Sequence, residues 1–168
     1  MLGIAIALVA IIHFALNPLS RLDNQRRLAP FARGEIQVGS ETVAGYQQIY
    51  YLNDGIKTYL TRGQVNSVSP KISGTKVVWR EFYDGLPQII VYDIETSERL
   101  QLTYNGSNGE HDVAGGNVVW VNQSRGKTSI YLFDGTSIIR VSDSSNATRP
   151  IVNERYVAYS QIFQPESR

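Results

Sequence analysis

The 168-residue chain contains no cysteine and only two histidines, His13 and His111. The first absence excludes disulfide frameworks and thiolate metal centres in any compartment. The second leaves a histidine-built metal site short of the two or three converging imidazoles it needs. Clustered basic charge is missing as well. The formal net charge is +1, and residues 1–34 carry four arginines (Arg21, Arg26, Arg27, Arg33) against one acid, Asp23. The rest of the chain is therefore slightly acidic and offers no footprint for phosphate, so no nucleic-acid partner is expected. Nor does any apolar run reach the roughly 20 residues of a comfortable membrane span.

The longest apolar run is Met1 to Leu16, broken only by His13 and closed by Asn17-Pro18. No Lys or Arg precedes it and no Ala-x-Ala follows it, so a cleaved secretory signal fits poorly. The expectation is an uncleaved helix over residues 2–16 that holds the chain at a membrane. Residues 1–20 then form an anchor or signal segment, 21–45 a connector, and 46–168 the repeat domain. Arg21, Arg26 and Arg27 conflict with an extracytoplasmic domain under the positive-inside rule, so orientation stays open.

The rest of the chain is rich in what a β-repeat needs. Ile72-Ser73-Gly74-Thr75-Lys76-Val77-Val78-Trp79 recurs as Ala114-Gly115-Gly116-Asn117-Val118-Val119-Trp120 and, degraded, before Tyr159; these aromatics lie 41 and 39 residues apart. In phase with them run Ile49-Tyr50-Tyr51-Leu52, Ile89-Ile90-Val91-Tyr92-Asp93 and Ile130-Tyr131-Leu132-Phe133-Asp134, then Tyr59-Leu60-Thr61, Gln101-Leu102-Thr103 and Arg140-Val141-Ser142. Short Val, Ile, Tyr and Trp runs bounded by Gly, Asp and Asn turns are strands. A lead-in strand before each repeat makes four per period of about 40 residues, the size of a propeller blade. The fold expected is all-β, an incomplete β-propeller of about three four-stranded blades behind the N-terminal hydrophobic helix.

The signature Ile-Ser-Gly-x-x-Val-Val-Trp, Ile-x-Val-Tyr-Asp, Leu-x-Leu-Thr resembles the TolB-like repeats of bacterial envelope and cell-surface propellers, over residues 47–161. The resemblance implies an extracytoplasmic propeller that binds proteins or envelope components. It differs from WD40 repeats, since the Gly-His pair is missing.

Candidate chemistry is sparse, and no motif implies a cofactor. Asp54, Asp93 and Asp134 recur at spacings of 39 and 41 and are read as turn caps. His111-Asp112 would supply a base and its orienter, but with no nucleophile in view a turn position is expected. Glu81, Asp84 and Glu110 are the acids a glycosidase-like hydrolase would need, at positions where solvated charge is expected. Trp79 and Trp120, behind paired valines, read as core. The ligand-binding candidates are loop residues: Phe82, Tyr83 and Leu86, with Pro87, in one blade and Arg125, within 123–127, in the next.

The leading expectation is a membrane-anchored, extracytoplasmic binding or scaffolding module whose partner is a protein or a cell-surface polymer. The alternatives are a hydrolase with acids at a propeller mouth, and a structural envelope subunit or fragment of a larger propeller. Counting residues 47–53 and 57–62 as the third and fourth strands of a first blade, and 148–152 and 155–161 as the first two of a last, gives complementary half blades. Two copies would then close a six-bladed ring.

Overall fold

The computed structural model describes residues 7–13, 36–142 and 146–162. Among them every regular element is a strand, arranged in four antiparallel sheets. The first sheet is β2 (Gln37–Val43), β3 (Tyr46–Asn53) and β4 (Ile56–Tyr59). The second is β5 (Ser67–Ser73), β6 (Lys76–Tyr83), β7 (Leu86–Asp93) and β8 (Glu98–Gln101). The third is β9 (Ser107–Ala114), β10 (Asn117–Ser124), β11 (Lys127–Phe133) and β12 (Ile138–Arg140). The fourth is β13 (Ala147–Val152), β14 (Tyr156–Ile162) and β1 (Ala7–His13), in the order β1-β14-β13.

Tight turns set the register. Ala44-Gly45, Asp84-Gly85 and Arg125-Gly126 all have positive φ at both residues, the signature of the type I′ hairpin whose twist suits two paired strands. They join Val43 to Tyr46, Tyr83 to Leu86 and Ser124 to Lys127. These equivalent hairpins identify β2 with β6 and β10 as the same strand of successive repeats.

The sheets stack in chain order, each burying apolar side chains against the next. Ile49 of the first sheet packs with Val77, Trp79 and Ile90 of the second. Val78, Ile89 and Val91 of the second pack with Val113, Val118 and Trp120 of the third. Val119, Val121, Ile130 and Leu132 of the third pack with Ala147, Val157 and Tyr159 of the fourth. Central strands covered on both faces should be apolar throughout rather than alternating. Residues 87–91 of β7 and 117–121 of β10 are all buried, and all are apolar but Gln88 and Asn117. Trp79 and Trp120 are core, at 0% and 2% exposure, and Trp120 stacks on Tyr131.

The first strands are stitched together by polar contacts. Lys71 Nζ on β5 reaches Asp112 on β9 (2.9 Å), whose other oxygen accepts the Val152 N–H of β13 (3.0 Å). The Arg149 N–H donates to Glu110 Oε2 (2.7 Å), and the Gly115 N–H to Ser73 Oγ (3.1 Å). The pairings of β5, β9 and β13 each carry a register shift, which bends the strand and frees backbone from the ladder.

Three expectations change. The segment expected as a helix over residues 2–16 is, in its described part Ala7–His13, a strand paired along its whole length with β14. A short apolar run is as well suited to a sheet edge as to a helix when an unpaired strand is available. No helix among the described residues is long and apolar enough to cross a membrane. Second, the connector assigned to 21–45 contains β2, so the repeat sheets begin at Gln37. Third, β2 and β1 give the terminal sheets three strands each, so the complementary two-strand half blades expected from the sequence are not what the described strands form.

Candidate functional site

Phe82, Tyr83 and Leu86 sit on the β6–β7 hairpin, where Phe82 pairs with Pro87 and Tyr83 with Leu86. Tyr83 is 36% exposed and Leu86 46%, while Phe82 is half-buried and Pro87 buried. Arg125 is exposed in the corresponding turn of the third sheet. The four candidates thus occupy equivalent hairpins on neighbouring sheets. In the first sheet the same hairpin exposes Val43, at 41%.

Beneath this edge lies a buried carboxylate. Glu81 is 7% exposed and receives Trp79 Nε1 (3.0 Å), Ser67 Oγ (3.2 Å), Arg99 Nη2 (2.7 Å) and the Tyr83 hydroxyl. Arg99 also donates to the Tyr83 oxygen (3.0 Å). A carboxylate held by four donors is a structural hub, since its lone pairs are already used. Burial, and then the bond to Glu81, raise the Tyr83 phenol above its ordinary range. The exposed ring at the hairpin is therefore fixed from below. Asp84 is exposed in the turn and Glu110 is bound to the Arg149 N–H, so the three acids of the hydrolase reading are not brought together.

Two of the three recurring aspartates, Asp93 and Asp134, behave as caps. Asp134 accepts the N–H groups and hydroxyls of Thr136 and Ser137. Burial opposes its ionisation, but these donors prevail and hold its pKa down at about 2. Asp93 accepts the Glu95 N–H (2.9 Å) and pairs with Lys76 (2.6 Å); burial pushes its carboxyl up and these donors bring it below the usual range. Asp54 lies in the β3–β4 turn at φ 49. Among the described residues no group of three or more His, Asp or Glu side chains could hold a metal ion.

A recess of about 230 Å³ lies between the second and third sheets, lined by Ser69, Lys71, Arg80, Glu110 and His111. His111 was expected in a turn but is a mid-strand residue of β9, 5% exposed, and its Nε2 has no partner. Burial, then the charges of Arg80 and Lys71, hold its pKa down at about 4, against backbone hydrogen bonds to Gly109 and Val78. Arg80 Nη2 donates to Ser69 Oγ (2.7 Å), while its buried Nε has no partner. Asp112 is engaged by Lys71 and Val152, so it does not act as an orienter for His111. Sequence reasoning missed Arg80 and Lys71 because nothing in their neighbourhoods marks them. Only the stacking of sheets 41 residues apart brings Lys71 to Asp112.

No family model matches the chain. No curated protein matches it either. Among solved structures, TolB from Acinetobacter baumannii is similar at 18% identity and a TM-score of 0.48, covering 64% of this chain and 28% of that one. The chain thus spans less than a third of the length of that structure.

Proposed function

We propose that the chain is a binding or scaffolding module that acts outside the cytoplasm and presents its hairpin edge to a protein or surface-polymer partner, its sheets being blades of a TolB-like propeller. The observation that supports this reading most is the hairpin of Tyr83 and Leu86. Both are exposed, yet Tyr83 is tied through its hydroxyl to the buried Glu81 and to Arg99. A rigid, partly apolar tip on a stacked scaffold loses little entropy on binding. Arg125 adds a cation on the next sheet.

Membrane attachment through residues 2–16 belongs to the same reading and competes with β1. The seven residues Ala7–His13 cannot both pair with β14 and enter a bilayer as helix. Carbonate extraction decides between these states: retention in the membrane pellet supports the anchor, and release supports β1 as a permanent strand.

The binding edge is tested by in-cell photo-cross-linking. Leu86 and Leu100 are equally exposed, at 46% and 47%, but Leu100 lies on the outer strand β8. A photoreactive residue at position 86 is expected to give discrete adducts where one at position 100 gives none. Equal yields from both would contradict a dedicated edge.

A further inference from the structure

The strand pairings give every sheet two ends, and the ends differ in charge. The β2–β3, β6–β7 and β10–β11 hairpins lie at one end, with the loops 60–66 and 102–106 that connect successive sheets. The other turns lie at the opposite end. The cross-sheet bonds of Gln47 with Asn66, Lys71 with Asp112 and Ser73 with Gly115 hold neighbouring sheets in the same sense, so like ends line up. Among the described residues the hairpin end carries three cations, Arg62, Arg125 and Lys127, against one acid, Asp84, and all four are exposed. None of these cations has an ion-pair partner among the described residues. The opposite end carries six acids, Asp54, Asp93, Glu95, Glu98, Asp134 and Glu154, against Lys76 and Arg155. The two ends therefore have opposite signs in a chain whose net charge is only +1.

Apolar surface shares the hairpin end. Tyr104, 72% exposed, lies in the loop between the second and third sheets and joins Val43, Tyr83 and Leu86 there. Apolar exposure alone does not mark this end, because Ile56 is 70% exposed at the opposite one; the charge decides what each can take. We propose that the hairpin end docks an acidic protein segment, whose apolar middle covers Tyr83, Leu86 and Tyr104 and whose carboxylates meet Arg62 on one side and Arg125 and Lys127 on the other. The inference rests on the hairpin edge being the binding edge and adds the chemistry of its partner. The stacking order gives the arrangement. Arg62 belongs to the loop between the first and second sheets, and Arg125 and Lys127 to the hairpin of the third, so the cations flank the tip of the second. Asp84 sits at that tip and repels a carboxylate from the centre, which reserves the middle of the segment for apolar side chains. Tyrosine and arginine are enriched at protein interfaces. The aliphatic Val43 and Leu86 offer a sugar polymer nothing to hydrogen-bond. Apolar cover supplies the affinity here, and the exposed cations supply steering and choice of partner.

The probes are the capped peptide Glu-Glu-Leu-Leu-Glu-Glu, its counterpart Lys-Lys-Leu-Leu-Lys-Lys, and polygalacturonate, each followed by NMR on the isotope-labelled full chain at about 0.05 M salt. The acidic peptide is expected to shift the amides of Tyr83, Leu86, Tyr104 and Arg125 and to leave that of Ile56 in place, with the lysine peptide weaker by about tenfold or more. The double variant Arg125→Asp, Lys127→Glu is expected to weaken the acidic peptide by about fivefold or more. It keeps a favoured turn, since Asp-Gly already forms the β6–β7 hairpin, and urea midpoints confirm its folding. Arg155→Glu, at the opposite end, is expected to change nothing. The proposal is overturned if the lysine peptide binds as well, if Ile56 responds like Leu86, or if the folded double variant binds as the parent does. Tighter binding of polygalacturonate than of the acidic peptide overturns the choice of a protein segment. Cross-linking in cells separates this inference from the reading beneath it. Adducts at position 86 that disappear in the double variant support the acidic partner, and adducts that persist there overturn it while the binding edge stands. Absence of adducts in the parent removes the edge and the inference together.

Discussion

Glu41 and Glu81 occupy the same place in successive repeats and live in different worlds. Glu41 pairs across β2–β3 with Gln48, and Glu81 across β6–β7 with Gln88. Each has a cation from the last strand of its sheet, Lys57 (2.8 Å) or Arg99 (2.7 Å), and a tyrosine hydroxyl. Yet the Glu81 side chain is 9% exposed and that of Glu41 36%. The difference is the neighbour: the first sheet covers the face that carries Glu81, and no described sheet covers the face that carries Glu41. A repeat position acquires its energetic weight from the sheet stacked on it rather than from its own residue type.

The sharpest way to break this comparison is through the aromatic two residues earlier. Trp79 is fully buried, and Trp79→Ala is expected to cost about 3 to 5 kcal/mol in urea titration, as core aromatic truncations do. Its counterpart in the first sheet is Gly39, since Gly39 pairs with Tyr50 as Trp79 pairs with Ile90. There the Tyr50 ring lies over the glycine, and a Cβ would stand 2.6 Å from the tyrosine oxygen. Gly39→Ala therefore displaces Tyr50 on an uncovered face and is expected to destabilise by about 1 kcal/mol or less. Equal costs at the two positions would contradict the asymmetry.

The second contrast is between the acids themselves. Glu81→Ala leaves Ser67, Trp79 and Arg99 without their acceptor, and is expected to cost about 2 to 4 kcal/mol. Glu41→Ala breaks an exposed pair and is expected to leave the urea midpoint where it was.

A pH dependence sharpens the same lesson at His111. Its folded pKa, about 4, lies below the unfolded value of about 6.5, so below pH 6.5 the unfolded chain binds a proton the folded chain does not. Stability contributed by the neutral buried ring is thus present above pH 6.5 and falls as pH drops toward 4, by up to about 3 kcal/mol. His111→Gln is expected to flatten that limb. At lower pH Asp134 takes over: its depressed pKa gives stability that is present above pH 4 and is lost as pH falls toward 2.

These positions also show what the sequence could convey. The Val-Val-Trp and Ile-x-Val-Tyr-Asp runs reveal the period because doubly covered strands must be apolar throughout, and so β6, β7, β10 and β11 were legible. β2 was not. Its sequence, Gln-Val-Gly-Ser-Glu-Thr-Val, has lost the aromatic to Gly39, and the ring is supplied by Tyr50 from the next strand. β1 was misread because an apolar run carries no period to separate helix from strand. Of the loop candidates only Arg125 lies in a turn; Phe82 and Tyr83 end β6 and Leu86 and Pro87 begin β7, on either side of the Asp84-Gly85 turn that its glycine announces. The recess was invisible because Arg80, Lys71 and His111 meet only across two sheets.

The central claim is that the second and third sheets are each enclosed between two others, while among the described sheets the first and fourth each have one face that no sheet covers. Native-state hydrogen exchange measures this directly. The account predicts that amides of β6, β7, β10 and β11 exchange slowest and together, with β2, β3 and β14 markedly faster and β1 fastest. Protection of β2 and β3 equal to that of β6 and β7 would contradict it, because the face of Glu41 would then have to be covered in solution.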